Sequence, residues 1–156
     1  MAIAMTVENY LKTREIPYDV VPHIRTSMTS MRTAAVARIP AHEMAKAVLL
    51  KDGQGFVVAV VPADRHVSLR RLRRQLGRKV GLATEDEAMT LFRDCDLGAL
   101  PPVGEAYGIE TILDDELIEE PEVYFEAGNH QELIRMGREE FMRLHEHALR
   151  GHFCKH

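Results

Sequence analysis

Hydrophobic and polar positions change period several times along the chain, and each change marks an expected element. Val7, Tyr10 and Leu11 recur at i, i+3 and i+4, the spacing of one helix face, so a short helix is expected there, capped by Thr6 and ended before Pro17. Residues 18–21 read as a strand. The Ser/Thr-rich stretch 26–33 leads into a helix over 34–38 that Pro40 stops. Two apolar runs of strand length, 44–50 and 56–61, flank Lys51-Asp52-Gly53-Gln54-Gly55, which is turn chemistry, and predict a hairpin. Because 56–61 is apolar on both faces, it is expected to be a central strand covered on each side.

Leu69, Leu72 and Leu76 mark a helix seam, and Thr84 with Glu87 forms a capping-box pattern before Met89, Leu91 and Phe92. A short strand is expected between these helices at 79–82. After the loop 95–108 come candidate strands at 110–113, 123–127 and 133–136, and a helix over 138–149. Strands scattered among short helices, without regular βαβ spacing, predict an α/β fold on a mixed sheet rather than a doubly wound parallel one. With no internal repeat or linker, one domain over 1–156 is expected, ending in a His-rich tail at 150–156 that reads as flexible.

A chain of 156 residues, 46% of them hydrophobic, can bury one substantial core. No stretch approaches the roughly 18 to 20 apolar residues of a membrane helix, and 1–5 is too short for a signal-peptide core, so a cytoplasmic protein is expected. Cys95 and Cys154 then read as reduced thiols. The formal net charge of −4 provides no global attraction to nucleic acid, so any such contact must come from a local patch. A patch of this kind is present: Arg65, His66, Arg70, Arg71, Arg73, Arg74, Arg78 and Lys79 occur with no acidic residue among 65–79. The leucine seam points inward, leaving Arg70, Arg71, Arg73 and Arg74 on the outer helix faces as a phosphate-contact surface or, on the plainer reading, a solvated face.

Lys46 is the residue hardest to explain as structure. Within Met44-Ala45-Lys46-Ala47-Val48-Leu49-Leu50, alternation puts it on the same face as Val48 and Leu50, a cation among apolar neighbours. Either it snorkels to water along its stem, or it lines a pocket for an anionic or carbonyl-bearing ligand. Gly98-Ala99-Leu100-Pro101-Pro102-Val103-Gly104 is a stiffened loop that could be a rigid turn or could present the amides around Gly98 and Ala99 to an oxyanion. Gly128-Asn129-His130 reads as a turn whose Asn129 and His130 could also reach a site, as could His23 and Thr26 after the first strand. His145, His147, His152, Cys154 and His156 form no convincing metal set, since i, i+2 positions on a helix diverge, and no metal or cofactor is expected. The charges of Asp94 and Asp96 should raise the thiol pKa of Cys95 and disfavour a nucleophile there.

Taken together, Ala45-Lys46-Ala47-Val48-Leu49-Leu50, Val61-Pro62-Ala63-Asp64-Arg65, Leu82-Ala83-Thr84 with its acidic helix, and the 98–104 loop resemble the YbaK/ProX-type aminoacyl-tRNA deacylases in order and spacing, over roughly residues 5 to 144. The resemblance implies a mixed, barrel-like sheet with packed helices and metal-free hydrolysis of the ester joining a wrong, small amino acid to tRNA. It implies that Lys46 is the main functional side chain, that the loop with Gly98, Ala99, Pro102 and Gly104 lines the same pocket, and that Asn129 and His130 resemble its polar wall. His23 and Thr26, read from their place after the first strand, are expected to join the substrate-binding residues. The expected partners are mischarged aminoacyl-tRNA and an aminoacyl-tRNA synthetase, with no membrane and no DNA. The family often has a double glycine and a Ser/Thr where this chain has Gly98-Ala99 and Pro101, so a non-catalytic tRNA- or synthetase-binding module is the alternative.

Overall fold

The computed structural model describes residues 3–23 and 30–156. Helix α1 (Met5–Thr13) buries Val7 and Leu11, as its periodicity predicts, but Ala4 rather than Thr6 stands at its N-cap. Ala4 has no side chain to offer, so the first turn draws its acceptor from Asp94, whose carboxylate receives the Thr6 N–H at 2.9 Å. Strand β1 (Asp19–Pro22) follows, then α2 (Ser30–Val36), which lies earlier than the expected 34–38. Arg38 takes a positive φ of 59° and the Ile39 N–H returns to the Ala34 carbonyl at 2.9 Å, closing the helix well ahead of Pro40.

The predicted hairpin is present as β2 (Met44–Lys51) and β3 (Phe56–Pro62), antiparallel in the register Lys46↔Val61. Asp52 builds its turn: Oδ1 accepts the N–H groups of Gln54 and Gly55 at 2.8 and 3.0 Å, while Oδ2 accepts from Arg78 Nε at 2.7 Å. Strand β3 is central, with Val57 to Val61 wholly buried. Val58 and Val60 face a cluster completed by α1 and, later in the chain, by Phe92 and Phe141. Val57, Ala59 and Val61 face a second cluster around Leu72 and Phe153.

Next come β4 (His66–Val67), α3 (Leu69–Leu76), β5 (Gly81–Leu82) and α4 (Glu85–Leu91). Ser68 caps α3, Gly77 ends it in the left-handed region, and Thr84 with Glu87 completes a reciprocal capping box on α4. Strands β6 (Glu110–Asp114), β7 (Glu122–Glu126) and β8 (Glu132–Gly137) lead to α5 (Arg138–Leu144). Residues 145–149, expected to continue that helix, do not. The segment 150–156, expected to be a flexible tail, instead takes part in β9 (Leu149–Gly151) and β10 (Cys154–Lys155). The wholly buried Asp114 carboxylate accepts the Phe153 and Cys154 N–H groups at 2.9 Å each, and Phe153 is itself fully buried. Periodicity alone cannot register such an anchor.

The large sheet has the order β1-β8-β7-β2-β3-β6-β9, with β5 also pairing β2, and β4 pairs β10 separately. Parallel pairs (β2·β7, β3·β6, β6·β9) mix with antiparallel ones, so the sheet is mixed and the fold is α/β. No helix among the described residues is long and apolar enough to cross a membrane.

Candidate active site

Alternation sends Lys46, Val48 and Leu50 to one face of β2, and the two apolar side chains pack there with the Leu72 cluster. Lys46 is half-buried, and its Nζ lies 3.4 Å from the Ala63 carbonyl at the exit of β3. Burial lowers the pKa of this ammonium, and Asp64 opposes that shift. Asp64 is shared, since His42 Nδ1 stands 3.0 Å from it and Arg65 3.5 Å. Lys46 is therefore a partly desolvated cation held at a strand end by one carbonyl.

Strands β2 and β7 run parallel, with Met44 beside Tyr124 and Ala45 beside Phe125. Glu126 follows Phe125 at the end of β7, and alternation turns both Lys46 and Glu126 away from the face that carries Ala45 and Phe125. Glu126 Oε2 lies 2.9 Å from His130 Nδ1, and His130 Nε2 lies 2.6 Å from the Leu97 carbonyl. A carbonyl can only accept, so Nε2 carries the proton and donates it to Leu97. Gly98 follows at φ 81°, where a Cβ would sit 3.5 Å from the His130 ring. Glu126 and His130 thus link the end of β7 to the loop that the sequence singled out.

Glu126 and His130 are both almost wholly buried. Burial raises the Glu126 carboxyl above its ordinary value of 4.5, and His130 opposes the rise. The folded chain therefore binds this proton more tightly than the unfolded chain. That contribution to stability is complete at acid pH and is lost as pH rises through the folded-state value. Thermal melts across the acid-to-neutral range should show the wild-type midpoint falling relative to Glu126→Gln, whose amide N–H takes the place of the carboxyl proton. Parallel curves for the two proteins would contradict the shared-proton arrangement.

The loop's far end is held in the same manner. His145 is buried, with Nε2 2.7 Å from the Pro102 carbonyl and Nδ1 2.9 Å from the Phe141 carbonyl. Burial lowers its pKa, so the ring is neutral and has one N–H. Phe141 already receives the His145 backbone N–H at 3.2 Å, so we assign the ring proton to Nε2 and to Pro102. At Gly104 a Cβ would collide with Thr111 and stand 2.9 Å from Val58 Cγ2, so this position demands glycine. The Ala99 amide, one of the two expected oxyanion donors, is instead engaged by the Asp96 carbonyl at 3.1 Å. The Gly98 N–H has no such acceptor among the described residues, which leaves it as the loop's donor at that point.

His23 donates its backbone N–H to Gln131 at 2.8 Å and so lies against the turn that carries His130. Asn129 shapes that turn: its Oδ1 accepts the N–H groups of Gln131 and Glu132 at 2.8 and 2.9 Å. Thr26 lies outside the described residues. On α3, Arg73 Nε donates to the Val80 carbonyl at 2.8 Å while the residue stays exposed. Arg70, Arg71 and Arg74 are exposed as well. The histidines near the end diverge, with His145 buried and His147 and His152 exposed beside Glu146 and Asp115. Cys95 is buried, and burial more than the flanking carboxylates pushes its thiol up to about 12.

Sequence reasoning passed over Glu126 and weighed His145 only as a metal ligand. Glu126 sits in Val123-Tyr124-Phe125-Glu126-Ala127 as Lys46 sits in β2, a charge within an apolar strand, and the same argument applies to it. His145 follows Phe141 by four positions on the buried face of α5, where the ring centroids are 4.4 Å apart.

A family model for the aminoacyl-tRNA editing domain matches residues 25–144. The proline–tRNA ligase of Thermosipho africanus (strain TCF52B) is 32% identical over 94 residues, a match covering 60% of this chain but 16% of the ligase. Among solved structures, a candidate trans-editing enzyme for prolyl tRNA synthetase superposes with a TM-score of 0.84 at 23% identity, over 97% of this chain and 96% of its own. The hypothetical protein APE2540 also gives a TM-score of 0.84, at 22% identity, over 96% of this chain and 99% of its own. At these identities the structural matches establish the fold.

Proposed function

We propose, for a chain that belongs to the aminoacyl-tRNA editing domain family, that it hydrolyses the ester bond of tRNA mischarged with a small amino acid. The observation that supports this reading best is the half-buried Lys46 ammonium on β2, the strand that pairs with β7, whose Glu126 holds His130 against the start of the 98–104 loop. Water oxygen adds to the aminoacyl carbonyl carbon, and the carbonyl oxygen becomes an oxyanion. The Gly98 N–H, fixed by the ring behind it, donates to that oxyanion, and Lys46 holds the substrate by its charge in a low-dielectric setting. The ester C–O bond then breaks, the proton released by water goes to the departing ribose oxygen, and free amino acid and tRNA leave. The reaction needs no metal, because the protein's own cation and fixed amide stabilise the developing charge.

The preference for a small amino acid follows from the resemblance of the Lys46 strand and the 98–104 loop to the editing family. Editing of this kind is chemically necessary because a synthetase pocket separates amino acids differing by one methylene by only about 1–3 kcal/mol. The test is release of labelled amino acid from a panel of mischarged tRNAs in the presence of a chelator. Turnover on one or a few small amino acids is expected. Binding of tRNA with no turnover anywhere in the panel would replace this reading with the non-catalytic module, and activity abolished by the chelator would overturn the metal-free chemistry.

A further inference from the structure

The basic segment 65–79 looks uniform in sequence, but the fold divides it. Arg78 pairs with Asp52 and Glu110 at 2.7 Å each, Arg65 reaches Asp64 and Glu116, and Arg73 is tied to Val80. What remains is a groove of about 450 Å³ lined by Ser68, Arg70, Arg71, Arg74 and Lys155, with no carboxylate in its wall. Lys155 comes from β10, far away in sequence, and joins the arginines because Cys154 pairs with Val67 and Lys155 with His66. The Arg71 guanidinium donates to the Cys154 carbonyl at 2.8 Å, so the strand and the helix are fastened together at the groove itself. Arg70, Arg74 and Lys155 are exposed and carry no ion pair among the described residues.

We infer that this groove is a phosphate-binding site for the RNA backbone, with Lys155 as a member. This rests on the deacylase reading, which supplies the RNA. Four cations converging without a counter-charge are costly to hold together unless an anion joins them, and a row of backbone phosphates has the matching charge and spacing. The placement also suits an RNA ligand. Lys46 and α3 share one side of β2, and His66 follows Ala63, the carbonyl partner of Lys46, by no more than roughly 10 Å of chain. A strand whose terminal ribose ester lay at Lys46 would therefore bring its nearby phosphates over the groove.

The experiment is a fluorescence titration of the full chain with uncharged tRNA over a range of KCl concentrations. In wild type, log Kd should vary linearly with log salt. Arg70→Ala/Arg74→Ala/Lys155→Ala should flatten the slope by about 2 to 3 units and weaken binding roughly ten- to a hundredfold at moderate salt. Lys155→Ala alone should flatten it by about 1 unit, and Arg73→Ala should leave it unchanged. An unchanged slope in the triple variant, with its thermal melt intact, would overturn the proposal. So would wild-type retention on phosphatidylserine vesicles with no tRNA binding, which would assign the groove to a membrane surface. The titration requires no turnover, so a wild-type protein that binds tRNA through the groove but hydrolyses nothing would sink the deacylase reading and leave this inference standing.

Discussion

Lys46→Ala is expected to lower kcat/KM for release of the amino acid from mischarged tRNA by roughly a hundredfold or more, the scale seen when one fixed electrostatic partner of a developing charge is removed. Its effect on stability should be of the opposite kind. Burial already disfavours the Lys46 ammonium, and Asp64 keeps His42 and Arg65 as partners when the lysine is gone. The thermal midpoint should therefore stay level or rise slightly. This combination separates a functional lysine from a structural one, because a lysine that merely snorkels to water would lose little activity when truncated. Single-turnover release, measured alongside a melt on the same preparation, decides between them. A loss of activity no greater than that of a surface control such as Lys12→Ala would remove Lys46 from the mechanism.

His145→Ala should have the largest effect on stability, about 3 to 4 kcal/mol. It opens a cavity against Phe141 and leaves the Pro102 carbonyl buried without its donor. The consequence for function follows from where that carbonyl sits. Pro102 ends the segment that His130 holds at Leu97, so the loop would be secured at one end instead of both. His145→Gln, whose amide N–H can still reach Pro102, should recover most of the stability and of kcat. Urea unfolding and single-turnover rates on the two variants test this. Equal losses in His145→Ala and His145→Gln would show that ring volume, not the hydrogen bond to Pro102, is what matters.

Much of the local architecture was legible in the sequence because it depends on near neighbours. The β2–β3 hairpin followed from two apolar runs around a turn segment, and α3 from the spacing of Leu69, Leu72 and Leu76. The capping box on α4 needed only Thr84 and Glu87. Lys46 was legible for a related reason, since alternation within a single strand suffices to show a cation among apolar residues. The failures share a cause too. Thr6 was expected to cap α1, but the acceptor arrives from Asp94, and the expected helix over 138–149 stops at Leu144 because Leu149 pairs with Ile112.

The candidate site shows the same division. The sequence by itself determined which segments could carry chemistry, namely the lysine in β2, the Gly/Pro loop and the arginine-rich helix, because composition and period are properties of short windows. Only the tertiary structure decided how those segments are supported and which of their groups are free. Parallel pairing set β2 beside β7, whose Glu126 holds His130, and the folding of α5 placed His145 under Pro102. The Asp96 carbonyl took the Ala99 amide, and the pairing of β10 with β4 exchanged Arg73 for Lys155 in the basic groove. Each of these outcomes is a competition for a hydrogen-bond partner between groups far apart in the chain. Such a competition is settled by the geometry of the closed fold, since a buried donor or acceptor must find whichever partner the packing brings within about 3 Å.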